Sequence, residues 1–286
     1  MKEFNYTVES ISDSQRISDY MKRRLGYSAS IITKIKYGGI FLNGENVTTR
    51  ATVKCGDKIL VRFPDESSEN IEPYAMPLDI VYEDDYIICV NKPKNMPTHP
   101  SKGNHLPTLA AGLMARYGGN FVFRAVNRLD RDTSGLVLVA KDALSASKLC
   151  SAMKQNDFDK RYIALVDGVP SLQEALIDAP IKREKESELR RIVHNDGKPA
   201  KTKYRVLHSE SGRSLVEFTL LTGRTHQIRV HSSYIGHPLT NDFLYGNPND
   251  ESYFLHCFYL AFTHPVTSER LQLKSIPKKY EEYVKI

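Results

Sequence analysis

The stretch Val126–Lys141, which reads VNRLDRDTSGLVLVAK, constrains the fold of this 286-residue chain more than any other. Its second half is a short apolar run rich in Leu and Val, which indicates a buried strand. A carboxylate, Asp130, precedes the turn residues of this strand and lies between Arg128 and Arg131. Two neighbouring guanidinium groups favour the charged form of a carboxyl group. We therefore expect Asp130 to be ionised at neutral pH and available as a nucleophile or base.

An ordinary surface turn is the alternative interpretation of these residues. Asp, Arg, Ser and Gly are common before strands, and flanking charges often form surface ion pairs that contribute little. The whole string, however, resembles the R-L-D-x-x-T-S-G-L signature of the RluA-type RNA pseudouridine synthases. That resemblance implies that Asp130 is the catalytic residue. The family usually has His before R-L-D, where this chain has Asn127, so no role of that histidine carries over.

Two strings further along the chain extend the resemblance. The predicted strand Lys160–Val166 contains the K-x-Y-x-A pattern of the family, which implies that Tyr162 stacks on the target base. A tyrosine packed in the core, a common fate in strands, is the alternative. The segment Leu221–Asp242 resembles G-R-T-H-Q-I-R-x-H followed by G-H-P. In this motif the second arginine is implied to pair with the catalytic carboxylate, which makes Arg229 the partner of Asp130.

The segment with the G-R-T-H-Q string also predicts a helix that Thr225 caps and that Gly236 ends. His226 and Arg229 are three residues apart, so they share a face near the helix N-terminus. With the free backbone N–H groups there, they form an anion site for a phosphate or for the carboxylate of Asp130. We expect no metal, because the next histidine is five residues further on and does not align with the first.

Further basic side chains complete the RNA surface predicted for this part of the chain. The resemblance implies that Arg128 fills the place in the base stack that a flipped-out uridine vacates, and its planar head suits stacking. The other predicted RNA contacts here are Arg131, Arg224 and His226. We expect no cofactor, since the sequence has neither a phosphate loop nor a dinucleotide fingerprint. Whether Asp130 adds to the substrate as a nucleophile or abstracts the 2′ hydrogen to give a glycal stays open.

Residues 1–65 predict a separate, small α/β unit. Two short helices, the first capped by Ser12-Asp13 and the second opened by Ser28, precede strands next to the turns Asn43-Gly44 and Gly56-Asp57. This order resembles the small RNA-binding module named after ribosomal protein S-four. The unit has eleven Lys and Arg against seven Asp and Glu, which favours a phosphate-binding surface over a plain solvated helix face. Its expected RNA contacts are Lys22, Arg23, Arg24, Lys34 and Lys36.

Residues 66–77 are polar with two prolines and predict a linker. The resemblance implies that residues 78–286 form the catalytic domain, with an α+β fold: a large, mostly antiparallel sheet with flanking helices. The composition, with 41% hydrophobic and 26% charged residues, is that of a globular protein. Four scattered cysteines indicate a reducing cytoplasm, and the sequence shows neither a transmembrane span nor a secretory signal.

The predicted function is the isomerisation of specific uridines in RNA to pseudouridine. We expect large-subunit ribosomal RNA as the substrate, with transfer RNA as the other candidate, and a monomer as the working form. One alternative is a catalytically silent RNA-binding assembly factor, and another is a glycosidase with Asp132 as a second carboxylate. The joint presence of Asp130, Tyr162 and Arg229 favours the synthase, because RNA binding alone does not need all three.

Overall fold

The structure, a computed structural model, describes residues 2–9, 11, 13–64, 71–100, 107–185, 189–247 and 253–284. The strands in these ranges form one ten-stranded sheet, one four-stranded sheet and two two-stranded ribbons. The longest described helix has twelve residues, and none of the described helices is both long and apolar enough to cross a membrane.

Two helices and six short strands make up the described part of the N-terminal unit. They are β1 Glu3–Thr7, β2 Gln15–Arg16, α1 Ile17–Arg23, α2 Ala29–Ile35, β3 Ile40–Leu42, β4 Glu45–Asn46, β5 Thr52–Val53 and β6 Lys58–Arg62. The four-stranded sheet has the order β1-β6-β3-β4, and β2 pairs with β5. Asn43 and Gly44 have φ values of 51° and 90°, so the predicted tight turn joins β3 to β4.

The two predicted helix caps of this unit have different outcomes. The hydroxyl of Ser28 accepts a hydrogen bond from the backbone N–H of Ile31 at 3.3 Å, so Ser28 caps α2 as predicted. Ser12 lies outside the described residues, and the prediction that α1 begins there is wrong. The helix begins after Arg16, because Gln15 and Arg16 are extended and pair with β5.

The other described residues build the ten-stranded sheet, the second ribbon, three more α-helices and a 3₁₀ helix at Lys278–Tyr280. The elements are β7 Ile80–Glu83, β8 Ile87–Lys92, α3 Leu109–Arg116, β9 Arg124–Ala125, β10 Ser134–Ala140, α4 Ala143–Lys154, β11 Phe158–Asp167, β12 Glu174–Asp178, β13 Ile181–Arg183, β14 Arg191–Val193, β15 Lys201–Glu210, β16 Arg213–Leu220, α5 Gln227–Tyr234, β17 Leu255–Thr263 and β18 Arg270–Lys274.

The main path of the large sheet is β12-β15-β16-β11-β17-β10-β8-β7, with β9 added on β10 and β18 on β17. Only β10 and β17, among the described strands, pair in parallel. The predicted α+β fold with a large, mostly antiparallel sheet is therefore confirmed. The sheet places the start of β10, and with it the loop that carries Asp130, beside β17 near its centre, and β11 is the next strand beyond β17.

Gly135 makes the parallel pairing of β10 with β17 possible. Its φ of 110° lies in the left-handed region, and a Cβ atom at this position would lie 2.3 Å from the carbonyl oxygen of Cys257. No other residue type fits so close to a neighbouring backbone. The close packing of β10 against β17 thus requires a glycine at this position of the T-S-G string. This packing sets the position of β10, the strand that follows the Asp130 loop.

Helix α4 joins the N-terminal unit to the sheet unit. Leu144 is 1% exposed and packs in the same hydrophobic cluster as the apolar side chains of α1 and α2. Polar contacts surround it: the Ser147 hydroxyl donates to Ser28 at 3.0 Å, and Lys2 lies 3.1 Å from the carboxylate of Asp142. The two units therefore share core contacts, although a linker was predicted between them.

We predict that Leu144→Ala lowers the free energy of unfolding by about 2–4 kcal/mol, because it opens a cavity where the units meet. Leu172 is 58% exposed, so the matched change Leu172→Ala should stay within about 0.5 kcal/mol. Chemical denaturation of both variants measures the difference. Equal effects would contradict a shared core around Leu144.

Candidate active site

Asp130 lies in a cleft of about 860 Å³ between the N-terminal end of β10 and the loop before α5. The cleft is lined by residues 97–100, 123–131 and 223–225 and by Met153, Lys160, Tyr162 and Leu220. A smaller cavity of about 60 Å³ is lined by Asp130, Tyr162, His226 and Arg229, among others. The structure thus brings together all three residues predicted to be catalytic. The Asp130 side chain is 35% exposed, so the carboxylate remains accessible.

Hydrogen bonds to the backbone on both sides of Asp130 hold its loop in place. The buried hydroxyl of Thr98 donates to the carbonyl oxygen of Leu129 at 2.8 Å. The buried Asn127 amide donates to one backbone carbonyl of β10 at 3.0 Å and accepts from one backbone N–H at 2.8 Å. The asparagine that replaces the usual histidine therefore ties the loop to the strand that follows it.

Lys92 also binds the backbone of the loop that carries Asp130. It is fully buried, and its ammonium donates to the carbonyl oxygens of Pro93, Met96 and Arg131 at 2.9, 2.8 and 3.2 Å. Burial lowers the pKa of Lys92 to about 8, and the charge of Asp130 opposes that shift. The ammonium form therefore prevails at neutral pH, and it fixes two segments of the cleft wall relative to each other.

Tyr162 forms one wall of the cavity that holds Asp130. It lies on β11 and is 6% exposed. Burial raises the pKa of Tyr162 well above its ordinary value, and the neighbouring Cys257 raises it further. The side chain is therefore a neutral phenol at any physiological pH, and it offers an aromatic surface beside the carboxylate.

Arg229 does not make the predicted pair with Asp130, and that prediction is wrong. Its Nε and Nη2 atoms donate to the two carboxylate oxygens of Asp242, both at 2.7 Å. Asp242 is already oriented for this pairing, because it accepts backbone N–H groups from Leu244 and Tyr245. Asp130 still acts on Arg229 through space. Burial lowers the pKa of Arg229, but the bonds to Asp242 and the charges of both carboxylates outweigh it and raise the pKa overall.

Three aromatic rings surround the guanidinium of Arg229. Its central carbon lies 4.5 Å from the ring centre of Tyr253, 5.0 Å from Tyr245 and 5.2 Å from Phe243. Cation–π attraction adds to the ion pair in such a setting. The charge is therefore held in one position behind the cleft and cannot swing toward Asp130 without losing these contacts.

His226 is the basic side chain that approaches Asp130. Its Nε2 lies 3.9 Å from the Asp130 carboxylate, and its Nδ1 lies 2.8 Å from the hydroxyl of Tyr245. Burial lowers the pKa of His226, and the charge of Asp130 only partly opposes this. The predicted cap at Thr225 is wrong: His226 itself is at the N-cap, with a φ of 58° and no side-chain cap bond. This left-handed backbone lets α5 begin one residue later than predicted.

The remaining predicted RNA contacts of the cleft differ in how they are engaged. Arg128 is exposed on the cleft wall. Arg131 makes a two-bond pair with Asp132 at 3.0 and 3.1 Å, which also engages the carboxylate that a glycosidase would need. Arg224 donates to the carbonyl oxygen of Pro199 at 3.0 Å.

The basic residues predicted in the N-terminal unit lie on its surface and do not line the cleft. Lys22, Arg23, Arg24 and Lys34 are exposed, and Lys36 is half-buried. Lys36 lies 4.5 Å from the ring centre of its neighbour Tyr37, which is 84% exposed. An exposed aromatic ring beside cations is a surface that bases and phosphates can use.

Sequence reasoning missed Asp242 and Lys92. Asp242 accepts backbone N–H groups as turn residues do, and it also binds the guanidinium of Arg229. Lys92 stands at the end of β8, where a lysine is usually exposed. The sequence did offer a clue for Asp242, because it belongs to the same motif-bearing segment, Leu221–Asp242, as Arg229.

We predict that Asp242→Asn lowers the free energy of unfolding by about 3 kcal/mol or more, because it leaves the charge of Arg229 buried without a counter-charge. The matched change Asp130→Asn should stay within about 1 kcal/mol, since Asp130 is partly exposed and makes no fork pair. Denaturant unfolding of both variants gives the two values. A larger loss from Asp130→Asn would mean that Arg229 pairs with Asp130 after all.

Comparison with known proteins extends over nearly the whole chain. A family profile described as RNA pseudouridylate synthase matches residues 86–234. The chain is 40% identical over 270 residues to the uncharacterized RNA pseudouridine synthase YjbO of Bacillus subtilis, covering 91% of this chain and 95% of that protein. It is 33% identical over 287 residues to the ribosomal large subunit pseudouridine synthase D of Pasteurella multocida, covering 93% and 86%.

A solved structure shares the fold. Human RNA Pseudouridylate Synthase Domain Containing 1 matches with a TM-score of 0.59 at 29% identity, covering 72% of this chain and 86% of that chain. The relatives and the fold favour an enzyme over a silent RNA-binding factor. With a carboxylate and a neutral tyrosine facing one cavity, these matches show that the chain belongs to the RluA-type RNA pseudouridine synthases, which isomerise uridine in RNA.

Proposed function

We propose that this enzyme converts specific uridines of large-subunit ribosomal RNA to pseudouridine, with Asp130 as the catalytic carboxylate. The observation that carries the proposal is the accessible Asp130 side chain on the wall shared by the cleft and the inner cavity. Relatives from several bacteria named ribosomal large subunit pseudouridine synthase D, at 33–36% identity, support this choice of RNA.

The surroundings of Asp130 suit either of the two chemical routes. A nucleophile that adds to the substrate, and a base that takes the 2′ hydrogen, both need carboxylate oxygens that no guanidinium occupies. The fork of Arg229 is directed to Asp242, so its positive field reaches Asp130 without blocking it. Because burial lowers the pKa of His226, its neutral ring can donate a hydrogen bond to the carboxylate or form one with the substrate.

Tyr162 and Arg128 have separate proposed roles in handling the base. A stacked uridine must leave its helix to reach Asp130, at a cost of a few kcal/mol. Tyr162 then stacks on the uracil in the cavity, which keeps the freed base in place while it turns. Arg128, exposed on the outer wall, fills the space that the uridine leaves. Base–aromatic stacking contributes about 1–3 kcal/mol per base, which offsets much of the free-energy cost of flipping the uridine out.

The N-terminal unit, residues 1–65, is proposed as an S-four-type RNA-binding domain that follows the phosphate backbone with its basic helices. The linker 66–77 and the catalytic domain 78–286 complete the proposed division. Contacts between α4 and the N-terminal core support a fixed distance between the two RNA-binding surfaces. We further propose that the enzyme acts as a cytoplasmic monomer, with transfer RNA as the second candidate substrate.

Mapping of pseudouridines in cellular RNA tests the proposed target. We expect cells that lack this protein to lose one or a few pseudouridines from large-subunit ribosomal RNA. Purified enzyme should restore them in RNA isolated from those cells. A complete set of large-subunit pseudouridines, together with a loss from transfer RNA, would contradict the proposed target and leave the reaction class intact.

A further inference from the structure

Lys160 is a cation of the cleft that the roles proposed above do not use. It lies on β11 two residues before Tyr162, and its side chain lines the cleft that contains Asp130. The only hydrogen-bond contact of its ammonium within the described residues is the thioether of Met153, with the nitrogen 3.9 Å from the sulfur. A thioether is a weak acceptor, so the charge has no strong partner in the protein.

The surroundings of Lys160 do not supply a counter-charge. Burial lowers the pKa of Lys160, and the described group that acts against this is the thiol of Cys257, not a carboxylate. A half-buried ammonium without an anion is unfavourable in the free protein. Such an arrangement becomes favourable when a ligand brings the missing negative charge into the site.

Gly223 leaves the ammonium open to a ligand. A Cβ atom placed on Gly223 would meet Nζ of Lys160 at 3.8 Å and, apart from its two chain neighbours, no other heavy atom of the described residues within 4 Å. The backbone of this loop and the ammonium therefore form one open corner of the cleft. A bulky, charged group of a ligand can approach the lysine there without displacing a side chain.

Other cations of the cleft are less available for this purpose. Arg131 is bound to the carboxylate of Asp132, and Arg224 donates to a backbone carbonyl. Arg128 has a proposed role in the base stack. Lys160 is two residues before Tyr162 on β11, so the two side chains share one face of the strand and both line the cleft. Tyr162 is the residue proposed to hold the flipped base.

We propose that Lys160 binds a phosphate group that flanks the flipped uridine, and so fixes the sugar of that nucleotide over Asp130. The ligand class is a phosphodiester of the RNA backbone, and the open corner beside Gly223 receives it. An ammonium suits this task as a compact point charge. The inference rests on the proposed binding of RNA in this cleft.

The test uses the RNA fragment that carries a mapped uridine, with one methylphosphonate at a time replacing the charged linkages around it. Wild-type enzyme should lose about tenfold in affinity when one flanking linkage is neutral, since a charge-assisted contact is removed. Lys160→Met, which keeps the length of the side chain without its charge, should lose a similar factor with the native fragment. When that same linkage is already neutral, Lys160→Met and the wild type should bind the fragment with equal affinity.

Two controls make the result specific. Lys274 is an exposed lysine on the edge strand β18 that does not line the cleft, so Lys274→Met should respond to methylphosphonates like the wild type. In a salt series with single-stranded oligouridylate, Lys160→Met should reduce the slope of log affinity against log salt by roughly 0.7, as expected for one lost contact. Lys274→Met should leave this slope unchanged.

Independent losses from Lys160→Met and from every methylphosphonate would overturn the inference, because they would mean that no linkage contacts the lysine. An unchanged salt slope would do the same. Failure of the proposed function would look different: wild-type enzyme would then form no pseudouridine in the native fragment. Because the methylphosphonate series is first measured on wild-type protein, misfolding of a variant could not hide the absence of a sensitive linkage.

Discussion

Arg229 and Asp242 form a buried ion pair behind the cleft, with both fork distances at 2.7 Å. Burial of two charges is unfavourable unless their hydrogen-bonding capacity is used. Here two backbone N–H groups donate further hydrogen bonds to the carboxylate of Asp242, and aromatic rings cover the guanidinium of Arg229. The pair fixes a positive charge close to Asp130 while leaving the oxygens of Asp130 to the substrate. Because the fork of Arg229 is used by Asp242, Asp130 can lie near an arginine without being bound to it, as its proposed reactive role requires.

Buried hydrogen bonds hold the loop that carries Asp130. Lys92, Thr98 and Asn127 bind its backbone or that of its neighbours, and Gly135 lets β10 pack against β17. Lys92, Thr98 and Asn127 are buried, so these hydrogen bonds are shielded from water. A catalytic group held in this way loses little entropy on reaching the reactive geometry. The cleft is also lined by Arg128 and Lys160, where we propose that the bases and backbone of the RNA make contact.

Features of the fold that depend on residues close together in the sequence could be predicted. The apolar run after Asp130 forms β10, Ser28 caps α2, and Asn43-Gly44 makes a hairpin turn. The cavity contains Asp130, Tyr162 and Arg229, as the family resemblance implied.

The parts that depend on contacts distant in the sequence could not be predicted. Which carboxylate Arg229 binds depends on how the chain after α5 folds back, and the spacing of motifs does not reveal that. His226 lies 3.9 Å from Asp130 and has a left-handed backbone, an unusual conformation for a residue other than glycine. The burial of Leu144 depends on docking of the N-terminal unit, which the polar linker gave no sign of.

We propose that Asp130 is required for the formation of pseudouridine and contributes little to the stability of the fold or to the affinity for RNA. Single-turnover formation of pseudouridine by Asp130→Asn, measured alongside its affinity for the same RNA, tests this claim most directly. We expect product formation below about one per cent of the wild-type rate, since essential groups contribute several orders of magnitude, with an affinity within about threefold of wild type. Turnover well above that level in a folded, RNA-binding variant would contradict the account.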